Sequence, residues 1–100
     1  MAKFEIEREF PGTSASACYQ ACLRTVISAG FKIFKQRDVA SLVLCERVDQ
    51  DGRLELNVMV PLSKPTRVIL SLSGERSDEA SLKHEADRVL DILGTELGRD

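Results

Sequence analysis

The residues whose types and spacing could do chemistry are Cys18 and Cys22, which stand four apart in the stretch SACYQACLRT (16–25). Two thiols could form a disulfide, exchange electrons or contribute to a metal site. A helix over this stretch puts both cysteines on its apolar side, beside Tyr19 and Val26, so they point toward a core. Helix neighbours four apart have Cβ atoms about 5 to 6 Å apart, too far for a disulfide. We therefore expect both thiols to be buried, unpaired and free of metal.

His84 is the only histidine, and it falls opposite the apolar stripe of the last predicted helix. With Asp87 and Arg88 three and four residues on, we expect a surface histidine with modest electrostatic neighbours. The sequence contains no G-x-S-x-G elbow, no glycine-rich phosphate loop and no evident pair of catalytic carboxylates. It therefore predicts no catalytic residue, no metal site and no cofactor.

The composition is that of an ordinary globular chain, with 43% apolar and 30% charged residues in 100 positions. This length suffices for one core, and we expect a single α+β domain over 1–100. No window has the roughly 20 apolar residues of a membrane span. An odd number of cysteines favours free thiols in a reducing compartment, so we expect a cytoplasmic protein without membrane contact. The net charge of −2 argues against a chain-wide field that gathers nucleic acid.

Periodicity predicts the elements that position these residues. A strand over 3–10 precedes a helix that is capped by Thr13 or Ser14 and ends near Ala29, before Gly30. A last helix follows a cap at Ser77. Between the helices lie four extended segments, at 31–35, 39–48, 53–60 and 66–73. Residues assigned to the core between sheet and helices include Leu56, Val58, Leu70, Leu90 and Leu93.

The order strand, helix, four strands, helix predicts a five-stranded antiparallel sheet. Each strand of a meander reverses, so the first strand pairs best with the free edge of the fifth, which gives the order 2-3-4-5-1. Both helices then cover one face. In topology this arrangement is similar to the half-repeat of the TATA-box-binding-protein fold and to a minimal helix-grip domain of the START and plant-allergen kind. The resemblance implies the fold and assigns no functional residue.

The uncovered face of the sheet carries the alternate residues of each strand. In the third strand we assign Ala40, Leu42 and Leu44 to the core, which leaves Val43 and Cys45 outward. A register shift of one residue would exchange these two sets. The predicted outward patch and its basic neighbours are Phe34, Val43, Cys45, Met59, Ile69, Arg53 and Arg67.

A contiguous apolar patch is typical of a ligand groove or a partner surface. We therefore expect a binding module whose open sheet face meets a protein, a second copy included, or an apolar small molecule. The alternative is nucleic-acid binding on the same face, through Lys32, Lys35, Arg37, Arg53 and Arg67. Acids on that face, Glu5, Glu7 and Glu55, would repel phosphate and make this alternative the weaker one. An enzyme would have to use His84, Cys45 or the acids without a recognisable motif.

Overall fold

The fold is described from a computed structural model, which covers residues 2–50, 52–75 and 77–98. Two of the predicted turns include Asp51 and Arg76, which lie outside these residues. The strands are β1 (Ala2–Glu9), β2 (Lys32–Arg37), β3 (Leu42–Asp49), β4 (Gly52–Met59) and β5 (Arg67–Gly74). The helices are α1 (Ala15–Ser28) and α2 (Glu79–Gly98), and a 3₁₀ turn, Asp38–Ala40, joins β2 to β3. The sheet is antiparallel in the order β1-β5-β4-β3-β2, which confirms the predicted topology.

Both ends of α1 follow from local chemistry. At the start, the Ala17 amide donates to the Ser14 hydroxyl over 3.1 Å, the side-chain cap expected there. At the end, Gly30 has a φ of 92°, which a residue without Cβ adopts at little cost. The Phe31 amide then donates to the Val26 carbonyl over 2.9 Å, which completes a Schellman turn. The predicted stop is therefore confirmed.

The cap of α2 differs from the prediction. The helix begins at Glu79, so the cap position is Asp78 and not Ser77. The Ser81 amide donates to the Asp78 carboxylate over 2.8 Å, which places a full negative charge at the positive end of the helix dipole. The same contact lowers the pKa of Asp78, because the hydrogen bond stabilises its charged form.

The core lies between the sheet and both helices, and it is one continuous cluster. The inward residues predicted for β4 and β5 are buried, and so is the apolar stripe of α2. The face assignment of β3, however, was wrong. Val43 and Cys45 are 0% exposed, whereas Leu42 and Leu44 lie on the uncovered face and Ala40 is exposed in the 3₁₀ turn.

Register gives the reason for this reversal. Val43 pairs with Val58 and Cys45 with Leu56, and cross-strand partners share a face of the sheet. Because β4 points Leu56 and Val58 into the core, their partners must point there too. The stretch from 42 to 45 is apolar at every position, so the pattern alone chooses no face, and the larger leucines were assigned to the core in error.

A β-bulge interrupts β2. Ile33 pairs with Cys45 and Lys35 with Leu44, so Phe34 is an extra residue with no partner of its own. The strict alternation that placed Phe34 with Lys32 therefore breaks at this point. The Phe34 side chain is 51% exposed on the edge strand.

A charged cluster ties three elements together where α1 ends. Glu85 of α2 accepts hydrogen bonds from Arg47 of β3 over 2.7 Å and from Arg88 over 2.6 Å. Both guanidinium groups also donate to the Ala29 carbonyl, and Arg47 lies 4.8 Å from the centre of the Phe31 ring. Burial alone would raise the pKa of Glu85, but the hydrogen bonds from the two arginines outweigh it and lower that pKa.

Candidate interaction surface

Cys18 and Cys22 occupy the core, as expected, and Cys45 joins them there although it was predicted to lie outward. Cys18, Cys22 and Cys45 are buried and none is in a disulfide. Burial raises the pKa of Cys45 to about 12. The hydrogen bond between the other two thiols raises the pKa of Cys22 and lowers that of Cys18. A thiol that water cannot reach is a poor nucleophile, so these residues act as small hydrophobic side chains.

The remaining candidates for chemistry stand apart. His84 is exposed on α2. Within residues 2–50, 52–75 and 77–98, no group of three or more histidine, cysteine or acidic side chains is placed to hold a metal ion. Neither helix is long and apolar enough to cross a bilayer, as far as the described residues go.

The face of the sheet opposite the helices, called here the outer face, is built from rows of paired residues. In one row, Glu7 pairs with Ile69, Ile69 with Met59, Met59 with Leu42, and Leu42 with Arg37. In the next row, Glu5, Ser71, Asn57, Leu44 and Lys35 follow one another in the same way. Both rows run from an acid on β1 to a cation on β2.

Four neighbouring side chains form an apolar patch at the middle of this face: Leu42, Leu44, Met59 and Ile69. Met59 is 38% exposed, and the other three are partly exposed. Aliphatic side chains in adjacent strands touch across the ladder and form a continuous surface. Two members, Met59 and Ile69, were predicted from the sequence, and the two leucines take the positions predicted for Val43 and Cys45.

Charges of opposite sign flank the apolar patch. The acidic border comprises Glu5, Glu7 and Glu9, on alternate positions of β1. The basic border comprises Lys32, Lys35 and Arg37, on β2, with Phe34 at the bulge between the first two. These strands are the two edges of the sheet, so the borders lie on opposite sides of the patch. The outer face therefore has a charge gradient across its strands.

The two arginines predicted as site residues are engaged within the chain. Arg53 pairs with Glu46 and also with Glu55, the latter over 3.1 Å. Arg67 lies 3.0 Å from Glu7 of the acidic border. These ion pairs cancel much of the positive charge that a phosphate backbone would need. The free cationic character of the face is therefore concentrated on β2, not on β4 and β5.

A groove that the sequence did not predict lies at one end of the sheet. The turn between β1 and α1 and the loop between β4 and β5 enclose about 550 Å³, next to Leu62, which is 86% exposed. Its lining residues are 11, 13–15 and 62–66, so it does not include the apolar patch. Smaller hollows that reach the outer face, of about 110 and 290 Å³, are lined mainly by charged and polar residues at its corners.

No model of a known protein family matches the chain, and no curated protein sequence matches it either. The surface itself is therefore the basis on which a function can be assigned.

Proposed function

We propose that this chain is a cytoplasmic protein-binding module that uses the outer face of its sheet. The observation that carries the proposal is the apolar patch, four contiguous side chains that remain partly exposed after the core is complete. Isolated exposed hydrophobic residues need no explanation, but contiguous ones mark interaction sites. Three buried, unpaired thiols support a reducing compartment such as the cytoplasm.

The anatomy of the outer face resembles a protein interface more than a small-molecule site. An apolar centre with charged residues around it is the usual arrangement between proteins. Small ligands bind in concave cavities of about 300 to 1,000 Å³. A groove of that size in the described part of the chain lies at the end of the sheet, away from Met59 and Ile69. A protein surface is thus a better match to the patch than an apolar small molecule.

Nucleic-acid binding is the second candidate, and the basic border favours it. Lys32, Lys35 and Arg37 follow one edge, and the half-exposed ring of Phe34 lies among them. Single-stranded binders combine such cations with aromatic rings on which bases stack. Three phosphate contacts and one ring predict only weak, strongly salt-dependent affinity.

Photo-crosslinking in the native host cells tests the proposal. A photoreactive amino acid is introduced at Met59 in the apolar patch, and, as a matched control, at the exposed Ile27 of α1. The proposal predicts protein adducts from position 59 and none from position 27. Nucleic-acid adducts from position 59 would replace it with the second candidate. The absence of any adduct at position 59, in chains that are folded, would refute it.

A further inference from the structure

We infer that the partner of the outer face is a second copy of this chain, related to the first by a two-fold axis parallel to β4. This inference rests on the proposed function, because it names the occupant of the same surface. It is carried by the arrangement of charge and apolar residues across the five strands.

Because β4 is the central strand, the pattern of residues on the outer face is complementary to itself about an axis along β4. With β4 central, a two-fold axis along it exchanges β5 with β3 and β1 with β2. Met59 of one copy then lies over Met59 of the other, and Ile69 lies over Leu42. Three of the four patch residues are thus covered by the same patch of the other copy, and Leu44 lies over Ser71, so the interface is isologous and its centre is apolar.

The charges of the two borders favour an axis along β4 over an in-plane axis perpendicular to the strands. With the axis along β4, the acidic border of each copy faces the basic border of the other, so Glu5 lies over Lys35 and Glu7 over Arg37. An in-plane axis perpendicular to the strands would place acid over acid and base over base. Like charges at close range oppose association and unlike charges favour it.

The charge match survives small changes in packing angle. Stacked sheets are rotated by about 30° from one another, which shifts facing edge residues by less than one row. Each border holds three residues of one sign at successive outward positions, so a shifted acid still meets a lysine or an arginine. The exception is at one corner of the sheet, where the axis places Lys3 over Lys32. On the axis itself, Glu55 and Arg53 of β4 each lie over the same residue of the other copy, and the ion pairs of Arg53 with Glu46 and Glu55 offset these like-charge contacts.

Pairing through the sheet edges is less favourable than stacking of the faces. The bulge at Phe34 disrupts the β2 edge. The β1 edge is regular, but an antiparallel match of two β1 strands centred on Ile6 would set Glu5 beside the second copy's Glu7. Like charges directly opposite each other destabilise a strand pair.

The area of the outer face limits the surface that a dimer could bury. Three rows across five strands cover about 24 by 20 Å, from the usual strand spacing and rise per residue. Two copies would bury roughly 1,000 Å² in total, the lower end for specific interfaces. We therefore expect a reversible dimer with a dissociation constant in the micromolar range.

Sedimentation velocity of the purified chain, over a series of concentrations, tests the inference. The wild type should show a reversible monomer–dimer equilibrium. Met59→Asp should leave only monomer, because it sets two buried carboxylates against each other at the axis. Ile27→Asp, on the exposed side of α1, is the matched control and should dimerise like the wild type.

A charge reversal tests the axis itself. Among the ion pairs of the described residues, none involves Glu5 or Lys35, so both can be changed without breaking one. Glu5→Lys and Lys35→Glu should each weaken the dimer about tenfold, since symmetry repeats every substitution. An equimolar mixture of the two variants should recover about half of the wild-type association constant, about fivefold more than either variant alone, because only the mixed pair restores both attractive contacts and half of all pairings are mixed.

Failure of this inference is distinct from failure of the proposed function. The wild-type chain could stay monomeric up to about 1 mM while position 59 crosslinks to a different protein. That result would refute the inference that the partner is a second copy, and it would leave the proposed protein-binding function unrefuted. A dimer that persists in Met59→Asp, or variants whose mixture does not recover, would also overturn the inference. Absence of both the dimer and the crosslinks would overturn both.

Discussion

Replacement of Leu56 by alanine tests how the core is assembled. Leu56 is fully buried on the central strand, between Cys45 of β3 and Leu72 of β5. The substitution removes three carbon atoms, worth about 2.4 kcal/mol at 0.8 kcal/mol for each buried methylene. The hydrogen-bonded strands on both sides prevent collapse, so a residual cavity adds about 1 to 2 kcal/mol. We expect the free energy of unfolding to fall by about 3.5 to 4.5 kcal/mol.

Urea denaturation and thermal melting, followed by circular dichroism, measure this loss. For a domain of this size it corresponds to a fall in Tm of about 15 to 30 °C. Leu62→Ala is the matched control, because Leu62 is exposed in the loop after β4, and it should cost under about 0.5 kcal/mol. If the alanine variant does not fold, Leu56→Val should still lose about 1 kcal/mol. A loss below about 1 kcal/mol for Leu56→Ala, with an unchanged denaturant slope, would refute the described core.

Three further predictions concern backbone, charge and thiols. Gly30→Ala should destabilise the fold by about 1 to 2 kcal/mol, because alanine is strained at a positive φ, whereas Gly94→Ala in α2 should stabilise it by up to about 1 kcal/mol; equal effects in urea titrations would contradict the helix stop at residue 30. Glu85→Gln should cost about 1 to 3 kcal/mol at pH 7. Because the folded pKa of Glu85 is lowered, its contribution is present above the unfolded value near 4.5 and is lost as the pH falls through the folded pKa. Wild type and variant should therefore converge in stability in acid, and a difference that is constant with pH would count against the cluster. Cys18 and Cys22 should react slowly with thiol reagents in the native protein and quickly in denaturant; rapid native labelling of both would show that they are accessible.

The elements that could be predicted from sequence are those in which local pattern and tertiary environment agree. β4 and β5 alternate between inward apolar residues and outward residues that are polar except for Met59 and Ile69, so their inward faces were correctly assigned. Gly30 marked the end of α1 because the required backbone conformation suits glycine.

The errors came from positions that depend on partners distant in sequence. β3 is apolar on both faces at residues 42–45, so only its register with β4 decides which side chains reach the core. The outer face consequently contains Leu42 and Leu44 where Val43 and Cys45 were expected. The bulge at Phe34 leaves no mark in the alternation of β2.

The interaction surface was predicted only in part for the same reason. Met59 and Ile69 were identified as outward residues, and Lys32, Lys35 and Arg37 were recognised as cations. The sequence did not show that these cations form a border opposite the acids of β1, because that depends on β1 and β2 being opposite edges of the sheet with the apolar patch between them. The Glu85 cluster was not anticipated either, since it joins residues from three elements that sequence spacing cannot bring together.

The central claim, that the outer face binds a second copy about an axis along β4, is tested most directly by a thiol placed on that axis. Asn57 is exposed at the middle of β4, and the native cysteines are buried. In Asn57→Cys, the two new thiols should face each other. Mild oxidation or a short thiol crosslinker should then give a covalent dimer at micromolar protein concentration, whereas Ser28→Cys on α1 should remain monomeric. Equal or absent crosslinking of the two variants would contradict the account.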